Sequence, residues 1–262
     1  MKFELRDLSC GYAPSAPVLR HVELELDSGD VCCVLGPNGV GKTTLFRTAL
    51  NLLPPLAGTV AIDGENTRHW KPRHLARYVA YVAQAHIPVQ PYRVREVAMM
   101  GRLGQLGAAA QPGQRDFELV EQALEDVGIR HLRDKVYTEI SGGERQLLMI
   151  ARALAQQPKL LIMDEPTANL DYGNMARVLR CIRRLAESGM AVLFTSHMPD
   201  QAFFCEAKTL LLTRGASPRF GPAAEVLSER SLQEAYGTEI QIYEVLGAGE
   251  RPIRLTAPRL EE

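Results

Sequence analysis

The chain lacks several features that would narrow its class at once. It has no run of about 18 consecutive apolar residues, the length a membrane-crossing helix needs, so it is not expected to span a bilayer by itself. Its 30 Lys and Arg face 31 Asp and Glu, for a formal net charge of −1. That balance removes the electrostatic case for a nucleic-acid partner, although local basic patches remain compatible with it. The start, Met1-Lys2-Phe3-Glu4-Leu5-Arg6-Asp7, lacks the apolar core of a secretion signal. There is no internal repeat and no heptad run. Cysteines number five, an odd count, and Cys32 and Cys33 fall inside an apolar segment. Together with Cys10, Cys181 and Cys205 they are expected to be reduced core thiols, as in the cytoplasm. The remainder, 46% hydrophobic and 23% charged over 262 residues, is ordinary for a globular protein with one large core or two modest ones.

One stretch organises the rest. Gly36-Pro37-Asn38-Gly39-Val40-Gly41-Lys42-Thr43 fits the phosphate-loop pattern G-x-x-x-x-G-K-[ST] without a mismatch. Val31-Cys32-Cys33-Val34-Leu35 before it reads as a buried strand. Leu45, Phe46, Ala49, Leu50 and Leu53 after it share one helical face. An ordinary glycine turn between strand and helix needs neither the lysine nor the hydroxyl. The segment through Thr44 is therefore expected to bind a nucleoside triphosphate, its N–H groups and helix N-terminus receiving the phosphates. Lys42 would reach the β/γ-phosphates, and the Thr43 hydroxyl would ligate Mg²⁺.

Strands are expected at residues 2–9, 18–26, 58–63 and 78–83, the last ending at Gln84. Residues 85–157 change character. They carry a proline- and glycine-rich stretch with Ala108-Ala109-Ala110 and a short helical pattern at 93–101. Next comes an amphipathic helix with Phe117, Val120, Leu124 and Val127 on its apolar face, and then a helix behind Ser141-Gly142-Gly143. Strand and helix alternate again from Leu160 to about Leu212, which indicates an α/β protein with a mostly parallel sheet covered on both faces. In the tail after about 237, one strand is expected at 239–245.

A second chemical centre follows the apolar run Leu160-Leu161-Ile162-Met163, where Asp164 and Glu165 stand side by side. Two adjacent acids ending a buried strand are costly unless used; either alone could belong to a solvated turn. In phosphate-loop enzymes an aspartate here holds Mg²⁺ beside the loop threonine, and the next glutamate is placed to polarise the attacking water. Gln84 ends a core strand and could touch both Mg²⁺ and that water, though a lone glutamine is more often surface filler. His197 ends the strand 191–196 and could contact the γ-phosphate, where a structural histidine is the plainer alternative. Tyr12, in the early turn-rich loop, could stack on adenine or could simply be a surface tyrosine.

With these pieces in order, the sequence resembles the ATP-binding subunits of ABC transporters over residues 2 to about 236. Ile140-Ser141-Gly142-Gly143-Glu144 resembles the LSGGQ signature, with Ile140 for leucine and Glu144 for glutamine; Asn169-Leu170-Asp171 resembles the D-loop. The resemblance implies a P-loop NTPase (RecA-like) core with an N-terminal antiparallel β portion and an inserted α-helical subdomain. Residues 1–84 and 158–236 would form the core, 85–157 the insertion and 237–262 the tail. It also implies ATP and Mg²⁺ as ligands, with Ser141, Gly142 and Gly143 gripping a γ-phosphate held by the phosphate loop of a second copy, as an ATP-sandwich homodimer. Membrane-spanning permease subunits would dock near residues 85–104, with a substrate-binding protein acting indirectly. Location would be peripheral, on the cytoplasmic face of the inner membrane. For Met99 and Met100, docking groove and core packing remain equal readings. Residues 94–102, 141–146 and 171–174 look like importers of iron chelates, haem and cobalamin, while 208–212 with Phe220-Gly221 also resembles the molybdate/tungstate members. The alternative of another class, an ABC protein acting on ribosomes or DNA, meets one cassette, no coiled coil and no basic excess.

Overall fold

The computed structural model describes residues 1–84, 91–106, 111–246 and 252–259. The chain opens with an antiparallel pair, β1 (Lys2–Cys10) and β2 (Leu19–Asp27). In β2, Val22, Leu24 and Leu26 are buried while Glu23 and Glu25 are exposed, a two-residue period that fixes which face meets the core. Next come β3 (Val31–Leu35), α1 (Lys42–Ala49), β4 (Ala57–Ile62), the short β5 (Glu65–Asn66), α2 (Pro72–Leu75) and β6 (Val79–Val82). Three helices then run without an intervening strand: α3 (Val94–Leu103), α4 (Gln114–Asp126) and α5 (Gly142–Ala155). Alternation resumes with β7 (Leu160–Met163), α6 (Tyr172–Glu187), β8 (Ala191–Ser196), α7 (Asp200–Phe204), β9 (Lys208–Leu211), β10 (Arg219–Pro222), α8 (Ala223–Val226) and α9 (Glu229–Tyr236). A hairpin, β11 (Ile240–Leu246) with β12 (Pro252–Pro258), closes the chain.

The central sheet has the order β10-β9-β3-β8-β7-β6, parallel except for β10 at one edge. β3 is buried at all positions, as a strand with covered faces must be. Its side chains divide by parity. Val31, Cys33 and Leu35 join the core formed with α3 to α6, whereas Cys32 and Val34 join the one shared with α1 and the antiparallel sheet β2-β1-β4-β5. Leu45 and Phe46 of α1 are fully buried in that second core, each contributing about 1.5–3 kcal/mol of apolar transfer free energy. The chain thus builds two cores on one sheet.

Register sets the functional edge. Val82 pairs with Met163, Met163 with Phe194, and Phe194 with Cys33. The carboxyl ends of β3, β6, β7 and β8 therefore finish side by side. Gly36, Gln84, Asp164 and His197 follow those ends within a few residues, in the crevice where open α/β sheets place ligands.

Two expectations from sequence need correction. Phe117 is 55% exposed, not part of the apolar face of α4. Asp116 takes the buried position facing α3 instead, because it accepts a 2.8 Å hydrogen bond from Arg102 Nε. The tail carries two strands rather than one; prolines at both ends of β12 and Arg254 within it hide its alternation. Residues 85–90 of the expected docking stretch, and Ala108-Ala109-Ala110, lie outside the described residues. Of the methionine pair, Met99 packs against the core and Met100 is 36% exposed. All five cysteines are free and buried, and burial pushes the Cys10 thiol up to about 11, so these thiols are unreactive core residues. Among the described residues, no helix is long and apolar enough to cross a membrane.

Candidate nucleotide site

Between β3 and α1 the chain must turn sharply while leaving its N–H groups unused. Gly41, the residue capping α1, sits at φ 119° with Val18 and Leu19 packed against it; a Cβ there would lie 2.7 Å from Val18 Cγ1. Only glycine fits this point. Among the described residues the N–H groups of Gly39, Gly41, Lys42, Thr43 and Thr44 donate to no protein acceptor, while Val40 N–H turns back to Pro37 O. Five unpaired donors at a helix N-terminus form an anion cradle. Arg214 Nη2 donates to Asn38 O at 2.9 Å and steadies the loop from outside.

Lys42 is 6% exposed, and its Nζ donates to Gly36 O at 2.7 Å and to Pro37 O at 3.4 Å. A buried ammonium resting on two backbone carbonyls is a cation stationed beside an anion cradle. Its Nζ also lies 3.4 Å from Glu165 Oε1.

Asp164 and Glu165 point into different surroundings. Thr43 Oγ1 donates to Asp164 Oδ2 at 2.9 Å, and Thr195 Oγ1 donates to Asp164 Oδ1 at 2.7 Å. The Thr195 hydroxyl in turn accepts from Glu165 N at 2.7 Å. One hydroxyl therefore orients both acids, and Glu165 adopts the left-handed conformation, φ 46°, to meet it. Glu165 Oε2 accepts from Gln84 Nε2 at 3.0 Å and lies 3.7 Å from His197 Nδ1. The half-buried Tyr81 lies beside Asp164; burial first, and that negative charge second, push its hydroxyl up to about 12. It stays neutral at working pH.

The structure thus gathers Lys42, Thr43, Gln84, Asp164, Glu165 and His197 at one edge. It places Gln84 on Glu165, with no hydrogen bond to Thr43 or Asp164 among the described residues. Tyr12 is not among the gathered residues: it is 65% exposed, its hydroxyl accepting from Arg47 Nη1 of α1 at 3.0 Å. Thr195 and Tyr81 were missed from sequence. Thr195 carried a faint signal as a hydroxyl inside an apolar strand; Tyr81 carried none.

Thr43 Oγ1 and Asp164 Oδ2 offer adjacent hard oxygen ligands, and no cluster of three or more His, Cys, Asp or Glu occurs among the described residues. That donor set fits Mg²⁺, which takes one or two protein oxygens and completes its shell with phosphate and water. It does not fit a structural zinc site.

Ser141, Gly142 and Gly143 stand apart, with no hydrogen bond to the phosphate loop among the described residues. Ser141 caps α5: its Oγ accepts from Glu144 N at 3.3 Å, while Glu144 Oε2 accepts from Ser141 N at 2.7 Å. This capping box holds the Glu144 carboxyl below its usual range, chiefly through the Ser141 N–H. The Ser141 hydroxyl also contributes a hydrogen bond to that carboxylate.

Comparison with known proteins places the geometry in a family. Residues 19–168 match the family model described as ABC transporter. The sequence is 38% identical over 242 residues to an uncharacterized ABC transporter ATP-binding protein of Haemophilus influenzae, covering 92% of each chain. It is 33% identical over 216 residues to the molybdate import ATP-binding protein MolC of the same organism, covering 82% of this chain and 80% of that one. A solved structure described as the inward-facing conformation of a metal-chelate type ABC transporter superposes with a TM-score of 0.87 at 29% identity. That match covers 99% of this chain and 98% of the other.

Proposed function

Since the chain belongs to the ABC transporter family as an ATP-binding, ATP-hydrolysing subunit, we propose that it powers import of a metal chelate through a membrane permease. We propose further that it works as a homodimer closing on two ATP molecules. The observation that carries the chemistry is the convergence on Glu165 of Lys42, Gln84 and His197, beside the Thr43–Asp164 pair.

Each side chain has a distinct task. The N–H groups of residues 39 and 41–44 receive phosphate oxygens, and Lys42 leaves the Gly36 and Pro37 carbonyls to join them. Glu165, aimed by Gln84 and by its backbone bond to Thr195, orients the attacking water and takes its proton. His197 faces the γ-phosphate, and the Tyr12 ring covers the base. Mg²⁺ held by Thr43 and Asp164 would neutralise phosphate charge. The signature segment makes no hydrogen bond to its own chain's phosphate loop among the described residues. In a head-to-tail pair, Ser141 and the α5 N-terminus of one copy would complete the site of the other.

Support for permease docking comes from Tyr92, Met100 and Leu103, 42%, 36% and 54% exposed at or next to α3; apolar side chains exposed together mark contact surfaces. Peripheral attachment at the cytoplasmic face of the inner membrane follows from that docking. For the transported molecule, support is the 99% coverage of the metal-chelate transporter structure, and the reading is a ferric siderophore, haem or cobalamin. The molybdate reading is favoured by the MolC relative. Uptake in cells carrying Glu165→Gln decides, with labelled ferric siderophore and labelled molybdate compared. Selective loss of the siderophore supports the first reading and selective loss of molybdate the second. Normal uptake of both contradicts the siderophore and molybdate readings and sends the same comparison to labelled haem and cobalamin, whose normal uptake would contradict the transport reading.

A further inference from the structure

Away from the nucleotide site, α6 departs from the charge balance of its surroundings. In a chain of net charge −1, this helix carries Arg177, Arg180, Arg183 and Arg184 against the single acid Glu187. Arg183 reaches Glu206 at 3.4 Å. Arg177, Arg180 and Arg184 enter no ion pair among the described residues; Arg180 Nε donates to Ala176 O at 3.1 Å, within its own helix. Positions 177, 180 and 184 share one stripe of the helix, where like charges repel.

All four arginines are exposed, and they line an open cleft of about 710 Å³ between α6, residues 127–131 and the start of α5. His131 and Glu144 stand on the facing wall. The Glu144 carboxylate is already committed to the Ser141 N–H at 2.7 Å. Four arginines against Glu144 and Glu187 leave a formal excess of two positive charges with His131 neutral.

We propose that this cleft binds a phosphate-bearing anion, with Arg177, Arg180 and Arg184 as its donors. Guanidinium forks match phosphate oxygens two at a time, and a concave site lets several converge on one group. The place matters structurally. Gly143 lies so close to Asn174 that a Cβ would come within 2.2 Å of its side chain, and Asn174 precedes Arg177 by one helical turn. An anion bridging Arg177 and His131 would tie the signature end of α5 to α6. The binding claim does not depend on the transport reading.

The full-length protein, saturated with ADP in magnesium-free buffer so that the phosphate loop is occupied, is titrated calorimetrically with inorganic pyrophosphate. An Arg180→Gln/Arg184→Gln variant is titrated alongside, its melting temperature checking the fold. One saturable site is expected, weaker by about tenfold or more in the variant and weakening as salt rises. Flotation with phosphatidylglycerol vesicles, against phosphatidylcholine vesicles, separates a lipid headgroup from a free anion. Capture on anionic vesicles only, lost in the variant, assigns the phosphate to lipid and keeps the proposal. Equal binding by the native protein and the variant, or no binding to either probe, overturns it.

Discussion

Thr195 shows how much one hydroxyl can govern. It donates to Asp164 and accepts from the Glu165 N–H, so the two acids share one reference point. Replacing Thr195 with Val keeps the volume and deletes both bonds. Hydrogen bonds to charged groups contribute about 1.5–3 kcal/mol, so kcat for ATP should fall by roughly tenfold to a hundredfold while KM moves little. A variant that lost ATP affinity and kept kcat would assign Thr195 to binding instead. Lys42→Ala has the opposite signature. It removes the buried cation beside the cradle, and calorimetry should show ATP affinity largely lost; unchanged affinity would refute the assignment of the loop.

Most of this site was legible residue by residue, because phosphate chemistry demands a glycine loop, a lysine, a hydroxyl and strand-end acids in fixed order. The role of Thr195 was not. Its function depends on the parallel pairing of β8 with β7, which local sequence does not encode. The alliance of Gln84 with Glu165 was hidden for the same reason, since the two residues lie far apart in sequence and meet only through the sheet edge.

At the level of elements, the crossing of α3 and α5 is set by Gly101. A Cβ there would collide with the backbone carbonyl of Arg152, so the helices meet backbone to backbone. Gly101→Ala must push them apart. Overpacking of this kind costs about 1–3 kcal/mol, to be read as a lowered urea midpoint; an unchanged midpoint would show that the helices slide freely. The same contact is locked by the buried pair of Arg102 and Asp116, in which Arg102 also donates to Ala155 O at 2.8 Å.

Arg102 holds the Asp116 carboxyl below its usual range, helped by the Gly113 N–H. A depressed carboxylate stabilises the fold above its unfolded pKa of about 3.9 and loses that contribution as pH falls through the folded value. Asp116→Asn should therefore cost about 3–5 kcal/mol at pH 7, by stranding the Arg102 charge, and should flatten the loss of stability below about pH 4. Denaturant titrations at pH 7 and pH 3 check both signs. Sequence periodicity put α4 in place but turned Phe117 inward. The pattern could not register that Arg102, on another helix, needed a buried anion.

Across the whole molecule, the two halves of the chemistry sit on different parts of one chain. The phosphate loop and acids lie at the sheet edge, and the capped N-terminus of α5 lies elsewhere without a hydrogen bond between them among the described residues. The alternation of strands and helices made the parallel sheet legible, since buried runs such as Val31–Leu35 admit few other fates. The C-terminal hairpin was only half legible. It is anchored by Thr256, whose N–H and hydroxyl both donate to Asp200 Oδ1, a contact between residues far apart in sequence.

On the proposed mechanism, catalysis needs two copies, with Glu165 as the base. Glu165→Gln keeps the side chain's shape and removes its basicity, so ATP should bind without being consumed. Light scattering behind size exclusion, with and without ATP and Mg²⁺, measures the consequence. A monomer is expected without nucleotide and a stable dimer with ATP, alongside hydrolysis reduced by orders of magnitude. A variant that remains monomeric at saturating ATP, or that turns over ATP at the native rate, would contradict the mechanism.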